Sequence, residues 1–152
     1  ADASVNIKNP ATNIIIRDCK VSGTQRFLHF NYSGNEPWQN NHPLLDIKFE
    51  NIVAEDIEMP LTAYGDKENP VELTLNNIDF SFKKGSEKNP FMHVANFKKI
   101  KLKNINVKNA CGECLIKSWT DGGEFEFINL NCDIPKENLV KYTTEEFVCK
   151  WI

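Results

Sequence analysis

The stretch "IKLKNINVKN" at residues 100–109 decides the fold, because the chain repeats it with variations. Apolar and polar residues alternate up to an Asn, and the alternation then restarts one residue out of step. We call this polar residue the pivot, and successive pivots are 33, 26, 27 and 25 residues apart. The five copies are "IIIRDCKVSG" at 14–23, "IKFENIVAED" at 47–56, "LTLNNIDFSF" at 73–82, "IKLKNINVKN" at 100–109 and "FEFINLNCDI" at 125–134, with pivots Asp18, Asn51, Asn77, Asn104 and Asn129.

The pivot predicts a bend within a strand. In each copy the residues two and four before the pivot are apolar, and so is the residue directly after it. Alternation with period 2 predicts a short strand with one buried face. Asn and Asp tolerate left-handed backbone conformations, so a bend explains the one-residue slip. We expect the pivots to form an internal ladder of bonded side-chain amides, because a buried amide must be hydrogen-bonded.

A second, shorter strand is predicted after each copy. Helix signals are nearly absent, and the strongest one, "PKENLVKYTTEEF" at 135–147, predicts one or two turns. The predicted short strands are "RFLHFNY" at 26–32, "PLTAYG" at 60–65, "PFMHVAN" at 90–96, "CLIKSW" at 114–119 and "FVCKWI" at 147–152.

Short strands that recur about every 25 residues are typical of repeat architectures. A propeller blade needs four strands in about 40–45 residues, and a leucine-rich repeat needs a Leu-x-x-Leu-x-Leu phrase that this chain lacks. We therefore predict an all-β fold, a right-handed parallel β-helix of about five coils. The alternative is an antiparallel sandwich with coincidental spacing, although sandwiches turn every 8–12 residues.

Composition limits the classes of partner and cofactor. The chain has 152 residues and a formal net charge of −3, which argues against nucleic acid and anionic membranes as partners. No apolar run reaches the roughly 20 residues of a membrane-spanning helix. The five cysteines include "CGEC" at 111–114, but the second pair that a structural zinc site needs is missing. We therefore expect no metal and no cofactor, and cysteines that pack as small apolar side chains.

The stretch 47–82 resembles the coils of polygalacturonase-type enzymes, glycoside hydrolase family 28. The closest similarities are the Phe-x-Asn-Ile phrase at Phe49–Ile52 and "YGDKENP" at 64–70. The resemblance implies a right-handed parallel β-helix from a protein that hydrolyses the pectin backbone outside the cytoplasm, so we expect an extracellular or periplasmic location. It covers nearly the whole chain, but its residues are those that build coils rather than those that catalyse.

The catalytic signature of this family is largely missing. The family carries Asn-Thr-Asp, Asp-Asp, Gly-His-Gly and Arg-Ile-Lys in chain order, and the first three are absent here. An inverting glycosidase needs two carboxyl groups roughly 6.5–9.5 Å apart. We therefore predict no catalytic residue in this chain. "LIKSWTDGG" at 115–123 resembles the stretch around Arg-Ile-Lys, with Leu115 in place of the arginine, and the resemblance implies that Lys117 binds a sugar carboxylate.

Candidate residues for sugar binding follow from chemistry, because aromatic rings stack on sugars and cations bind carboxylates. The alternative is structural for four of the candidates: Trp38, Tyr64 and Trp119 as packing or loop anchors, and Lys117 as an ordinary outward strand residue. His29 and His93 are predicted to be surface histidines, and Lys101 and Lys103 to belong to a solvated face. The candidates are Lys117, Trp119, Trp38, Tyr64 and Arg26.

The domain prediction is a single unit, with coils over 1–133 and a C-terminal cap with a closing strand over 134–152. The beginning "NIKNPATNIIIRD" starts within the pattern and shows no cap, although exposed ends of a solenoid need one. We therefore expect either upstream catalytic coils of a longer parent chain or another molecule to cover the start. The functional expectation is the C-terminal part of a polygalacturonase-like hydrolase acting on pectic polysaccharide, with the chain alone inactive. The alternatives are a non-catalytic polysaccharide-binding or adhesion β-helix, and a purely structural solenoid segment.

Overall fold

The fold consists of two parallel sheets whose strands alternate along the chain. The computed structural model describes residues 3–6, 11–31, 44–59, 61–120 and 122–143. Its strands are β1 (Ala3–Asn6), β2 (Ala11–Ser22), β3 (Arg26–Asn31), β4 (Leu44–Ile57), β5 (Leu61–Tyr64), β6 (Val71–Phe82), β7 (Met92–Ala95), β8 (Phe97–Lys108), β9 (Ile116–Ser118), β10 (Glu124–Cys132) and β11 (Val140–Tyr142).

Even-numbered and odd-numbered strands form separate sheets. The long sheet has the order β10-β8-β6-β4-β2, and the short sheet has the order β1-β3-β5-β7-β9-β11. Every pairing between neighbouring strands in both sheets is parallel. The all-β prediction is confirmed, and the antiparallel sandwich is excluded.

Apolar residues from successive copies stack in register on the inner side of the long sheet. Ile47 pairs with Leu73, and Leu73 with Ile100, while Ile52, Ile78 and Ile105 form a neighbouring column. All six side chains are at most 2% exposed. Because the long strands are paired on both sides within the sheet, each inward residue contacts its equivalents, as the alternation predicts.

The predicted bend at the pivot is confirmed. All five pivots have φ between 53° and 58°, in the left-handed region that Asn and Asp tolerate better than other residues with a side chain. The apolar residue after each pivot then returns to the inner side of the sheet. In the central strands, for example, Asn77 is exposed and Ile78 is buried. The slip in the alternation therefore corresponds to one extra outward-facing residue, the pivot, within each long strand.

The pivot ladder exists, but the prediction that it is internal is wrong. Asn51 Nδ2 donates to Asp18 Oδ1, Asn77 Nδ2 to Asn51 Oδ1, and Asn129 Nδ2 to Asn104 Oδ1, each at 2.9 Å. All five side chains are exposed, because the left-handed residue occupies the extra outward position. The ladder is interrupted once, since Asn104 Nδ2 lies 3.4 Å from Oδ1 of Asn76 rather than bonding to Asn77.

The end of the described chain departs from the predicted elements. A single 3₁₀ turn at Lys136–Asn138 precedes β11, which pairs with β9 and extends the short sheet. The prediction of one or two helical turns is confirmed as a single turn, and β1 and β11 were not predicted as strands. The predicted strand at 147–152 lies outside the described residues, so the cap over 134–152 stays a prediction.

Candidate functional site

A column of polar side chains crosses the short sheet. His29 on β3 aligns with Thr62 on β5, Thr62 with His93 on β7, and His93 with Lys117 on β9. Their neighbours along the strands, such as Met92 and Val94, are buried in the core. Because side chains alternate across a strand, the column lies on the side of the sheet away from the core.

Contacts extend this column into a cluster, which we call the short-sheet face. The Arg26 guanidinium nitrogen Nη1 lies 3.3 Å from His29 Nδ1, and the Thr62 hydroxyl lies 2.5 Å from the same nitrogen. A guanidinium can only donate, so its contact makes His29 Nδ1 an acceptor. The short-sheet face comprises Arg26, His29, Thr62, Tyr64, His93, Lys117 and Trp119.

The second half of the short-sheet face is centred on His93. The Tyr64 hydroxyl lies 3.3 Å from His93 Nδ1, and the Trp119 ring packs edge-on with its centroid 5.8 Å from that of the imidazole. The Lys117 ammonium lies over the same indole, 4.3 Å from the ring centroid, in a cation–π contact. The Trp119 backbone N–H donates to the carbonyl of Val94, which fixes the indole beside β7.

Two cations on the short-sheet face differ from the other half-buried cations. Among the described residues, five Lys and Arg side chains are half-buried, and Lys48, Lys99 and Lys101 each form an ion pair with a carboxylate. Arg26 and Lys117 form no such pair with any described carboxylate. The Arg26 Nε is also buried, with no acceptor within hydrogen-bonding distance in this part of the chain. A buried donor without a partner is costly, so the Arg26 Nε lowers stability unless an acceptor reaches it.

The imidazole of His93 is held uncharged at neutral pH. Its pKa is lowered to about 4, first by burial and then by the positive charges of Lys117 and Arg26. Burial and nearby like charge both disfavour the protonated ring. At pH 7 the short-sheet face therefore carries a neutral His93 together with the side chains of Arg26 and Lys117.

The pKa of His93 predicts a pH dependence of stability. An unfolded histidine titrates near 6.5, so as the pH decreases from 7 to 5 the unfolded chain binds a proton that folded His93 does not bind. The free energy of unfolding therefore decreases as the pH decreases. We expect His93 to contribute a loss of about 2 kcal/mol in the free energy of unfolding over this range. Chemical denaturation of the wild type and of His93→Gln at both pH values isolates this share. Equal losses in the two proteins would contradict it.

The structure brings four of the five predicted sugar-binding residues together on this face. Arg26, Tyr64, Lys117 and Trp119 all belong to it, while Trp38 lies outside the described residues. Lys117 occupies one face of the Trp119 ring, so the indole positions the ammonium rather than offering that face to a sugar.

The sequence reading missed three members of the short-sheet face. His29 is only 5% exposed and His93 is half-buried, so the prediction that both are surface histidines is wrong. Each ring contacts a polar side chain of β5, His29 that of Thr62 and His93 that of Tyr64, and Thr62 aligns with both histidines in the register. The equivalent positions of histidine in "FLHF" and "FMHV" were the available signal.

The lysines on the outer side of the long sheet form a less suitable surface for an anionic ligand than the short-sheet face. Lys101 is bound to Glu126 at 3.2 Å, and Glu126 also binds Lys99 at 2.9 Å, so these charges compensate one another. Lys103 is exposed on the same strand. These contacts agree with the predicted solvated face rather than with a surface for a polyanion.

Two isolated carboxylates, Asp56 and Asp66, lie in local backbone features rather than in a pair of carboxyl groups. The Asp66 carboxylate accepts from the Glu68 backbone N–H at 2.9 Å, and Asp56 adopts a φ of 60°. Asp66 therefore acts in a turn, whereas Asp56 lies within β4, where the register with β6 shifts between Ala54 and Ile57. The third carboxylate of this group, Asp121, lies outside the described residues.

The cysteines form neither a disulfide among those described nor a metal cluster. Cys114 is buried and Cys111 is exposed, so the prediction of apolar packing holds for the first and is wrong for the second. Burial raises the pKa of the Cys114 and Cys132 thiols, which makes them poor nucleophiles. Within the described ranges, no three His, Cys, Asp or Glu side chains converge as a metal site requires.

Comparisons with known proteins do not assign this chain to a family. Within the described residues, no helix is long and apolar enough to cross a membrane. Models of protein families, curated proteins and solved structures yielded no match to this chain.

Proposed function

We propose that this chain forms polysaccharide-binding coils of a polygalacturonase-like β-helix, and that the short-sheet face binds carboxylates of an acidic, pectic polysaccharide. The observation that carries the proposal is the pair of half-buried cations, Arg26 and Lys117, that lack a carboxylate partner among the described residues. Uronate carboxylates would supply the missing negative charge. Charge-assisted hydrogen bonds to Lys and Arg are the strong contacts expected for such ligands.

The β-helix part of the proposal rests on topology. Short and long strands alternate along the chain, all strand pairings are parallel, and the five long strands share one bend. Stacked repeats that pair only with their neighbours are typical of solenoids. Parallel crossover connections are right-handed in nearly all proteins, so we propose the right-handed form.

The proposed binding face and the proposed parent enzyme are compatible. In the polygalacturonase family that this chain resembles, a lysine equivalent to Lys117 binds a sugar carboxylate, and the catalytic carboxyl groups belong to other coils. We propose that those coils lie upstream in a longer parent, which acts outside the cytoplasm. The charged members of the short-sheet face, Arg26 and Lys117, are both cationic, which favours holding an acidic chain rather than cleaving it.

Removal of the Lys117 charge tests the proposal. We expect Lys117→Gln to weaken binding of an oligogalacturonate about 10-fold at pH 7, because one charge-assisted contact is lost. Lys103→Gln removes the same charge from the exposed surface of the long sheet and should change affinity less than about 2-fold. Calorimetric titration of both variants and the wild type gives the comparison.

A neutral ligand provides the second control. An oligogalactan of equal length presents similar sugar rings without carboxylates, so we expect it to bind much more weakly than the oligogalacturonate. Comparable affinities for the two ligands, or equal losses in the two lysine variants, would mean that the short-sheet face does not select for carboxylates.

A further inference from the structure

We infer that the short-sheet face takes up a ligand carboxylate together with one proton from solvent, and that His93 is the group that receives this proton. The inference rests on the proposed function and names a residue that neither the resemblance nor the sequence patterns assign to binding. It makes His93 a determinant of when the site binds, in addition to Arg26 and Lys117.

The geometry places His93 between the two cations. Lys117 is its register neighbour on β9, and Arg26 belongs to β3 on the other side of β5, where it contacts His29. From β5 itself, Tyr64 contacts the imidazole, and the Trp119 ring beyond β9 covers its edge. A carboxylate that contacts Lys117 therefore also lies close to His93.

Tyr64 allows the imidazole to change its charge without rearrangement. A phenolic hydroxyl can donate or accept, and it lies 3.3 Å from His93 Nδ1. It can donate to the unprotonated nitrogen and accept from the protonated one. The only new covalent bond is an N–H bond, and the proton comes from water.

Electrostatics link the proton to the anion. In the free protein burial, and then the positive charges of Lys117 and Arg26, oppose protonation of His93, whose pKa is about 4. A bound carboxylate offsets the positive charge of Arg26 and Lys117 and favours the imidazolium. By linkage, a ligand that raises the pKa of a group binds more tightly as the pH falls.

The expected effect is large enough to measure. If the bound carboxylate restores the ordinary pKa near 6.5, affinity increases about 20-fold between pH 7 and pH 5. Uronates remain largely ionised at pH 5, so the ligand charge changes little over this range. The His93→Gln variant lacks the titrating group, and its affinity should change less than about 2-fold over the same range.

The experiment is a calorimetric titration of the full chain with an oligogalacturonate at pH 5, 6 and 7. Two buffers of different ionisation enthalpy at each pH give the number of protons bound. We expect proton uptake approaching one per site near pH 5–6 in the wild type and little uptake in His93→Gln. Lys103→Gln serves as the matched surface control and should retain the pH profile of the wild type.

The outcomes separate this inference from the proposed function. Binding with the same affinity at pH 5 and pH 7 would overturn the role of His93 and leave the binding site intact. An unchanged pH profile in His93→Gln would do the same. Absence of binding at every pH would overturn the proposed function and this inference together. An NMR titration of the His93 ring in the free protein adds a ligand-independent test, since a pKa near 6.5 would contradict the proposal.

Discussion

Replacement of Ile78 by Ala is expected to lower the free energy of unfolding by about 3–4 kcal/mol. Ile78 is 1% exposed and lies in the central strand β6, between Ile52 on β4 and Ile105 on β8 in one register column. Truncation removes the transfer free energy of the side chain and leaves a cavity that paired strands on both sides cannot close. Urea denaturation followed by circular dichroism measures the change.

Ile15 gives a matched control for this substitution. It is also an isoleucine on a long strand, but it is 49% exposed on the edge strand β2. We expect Ile15→Ala to cost about 0.5 kcal/mol or less, because little apolar area is removed and no cavity forms. Similar losses in both variants would contradict the view that the inner columns hold the sheets together.

The long strands were predictable because their information is local. The slip in alternation and the Asn or Asp identity coincide at one position, and both follow from one left-handed residue. The exposure of the ladder was not predictable in the same way. Whether an outward side chain such as Asn77 meets solvent or protein depends on what lies beyond the sheet, which the pattern does not encode.

The alignment of the short-sheet residues could not be predicted, because the segments between the pivots and the short strands differ in length. His29 and Thr62 each follow their pivot by 11 residues, whereas His93 follows Asn77 by 16 and Lys117 follows Asn104 by 13. Counting from the pivots therefore misplaces them, although strand pairing aligns all four. Sequence chemistry could select Arg26 and Lys117 as candidates, but only the strand pairing brings them onto one face with the two histidines.

The pivot conformation predicts the second large effect, at Asn77. We expect Asn77→Val to lower the free energy of unfolding by about 2–3 kcal/mol, because a β-branched residue is strongly disfavoured at a φ of 58°. The substitution also removes the amide that donates to Asn51 Oδ1 at 2.9 Å. Chemical denaturation at pH 7 measures the sum of these two contributions.

Asn77→Gly separates backbone strain from the ladder. Glycine adopts the left-handed region without steric cost, but it removes the same side-chain amide and adds flexibility to the unfolded chain. We expect a loss of about 1 kcal/mol, smaller than for Val, since an exposed hydrogen bond contributes little net stability. A Gly variant as unstable as the Val variant would instead assign the stability of the bend to the amide ladder. The ordering of the two variants therefore decides whether Asn occupies the pivot mainly for its backbone or for its side chain.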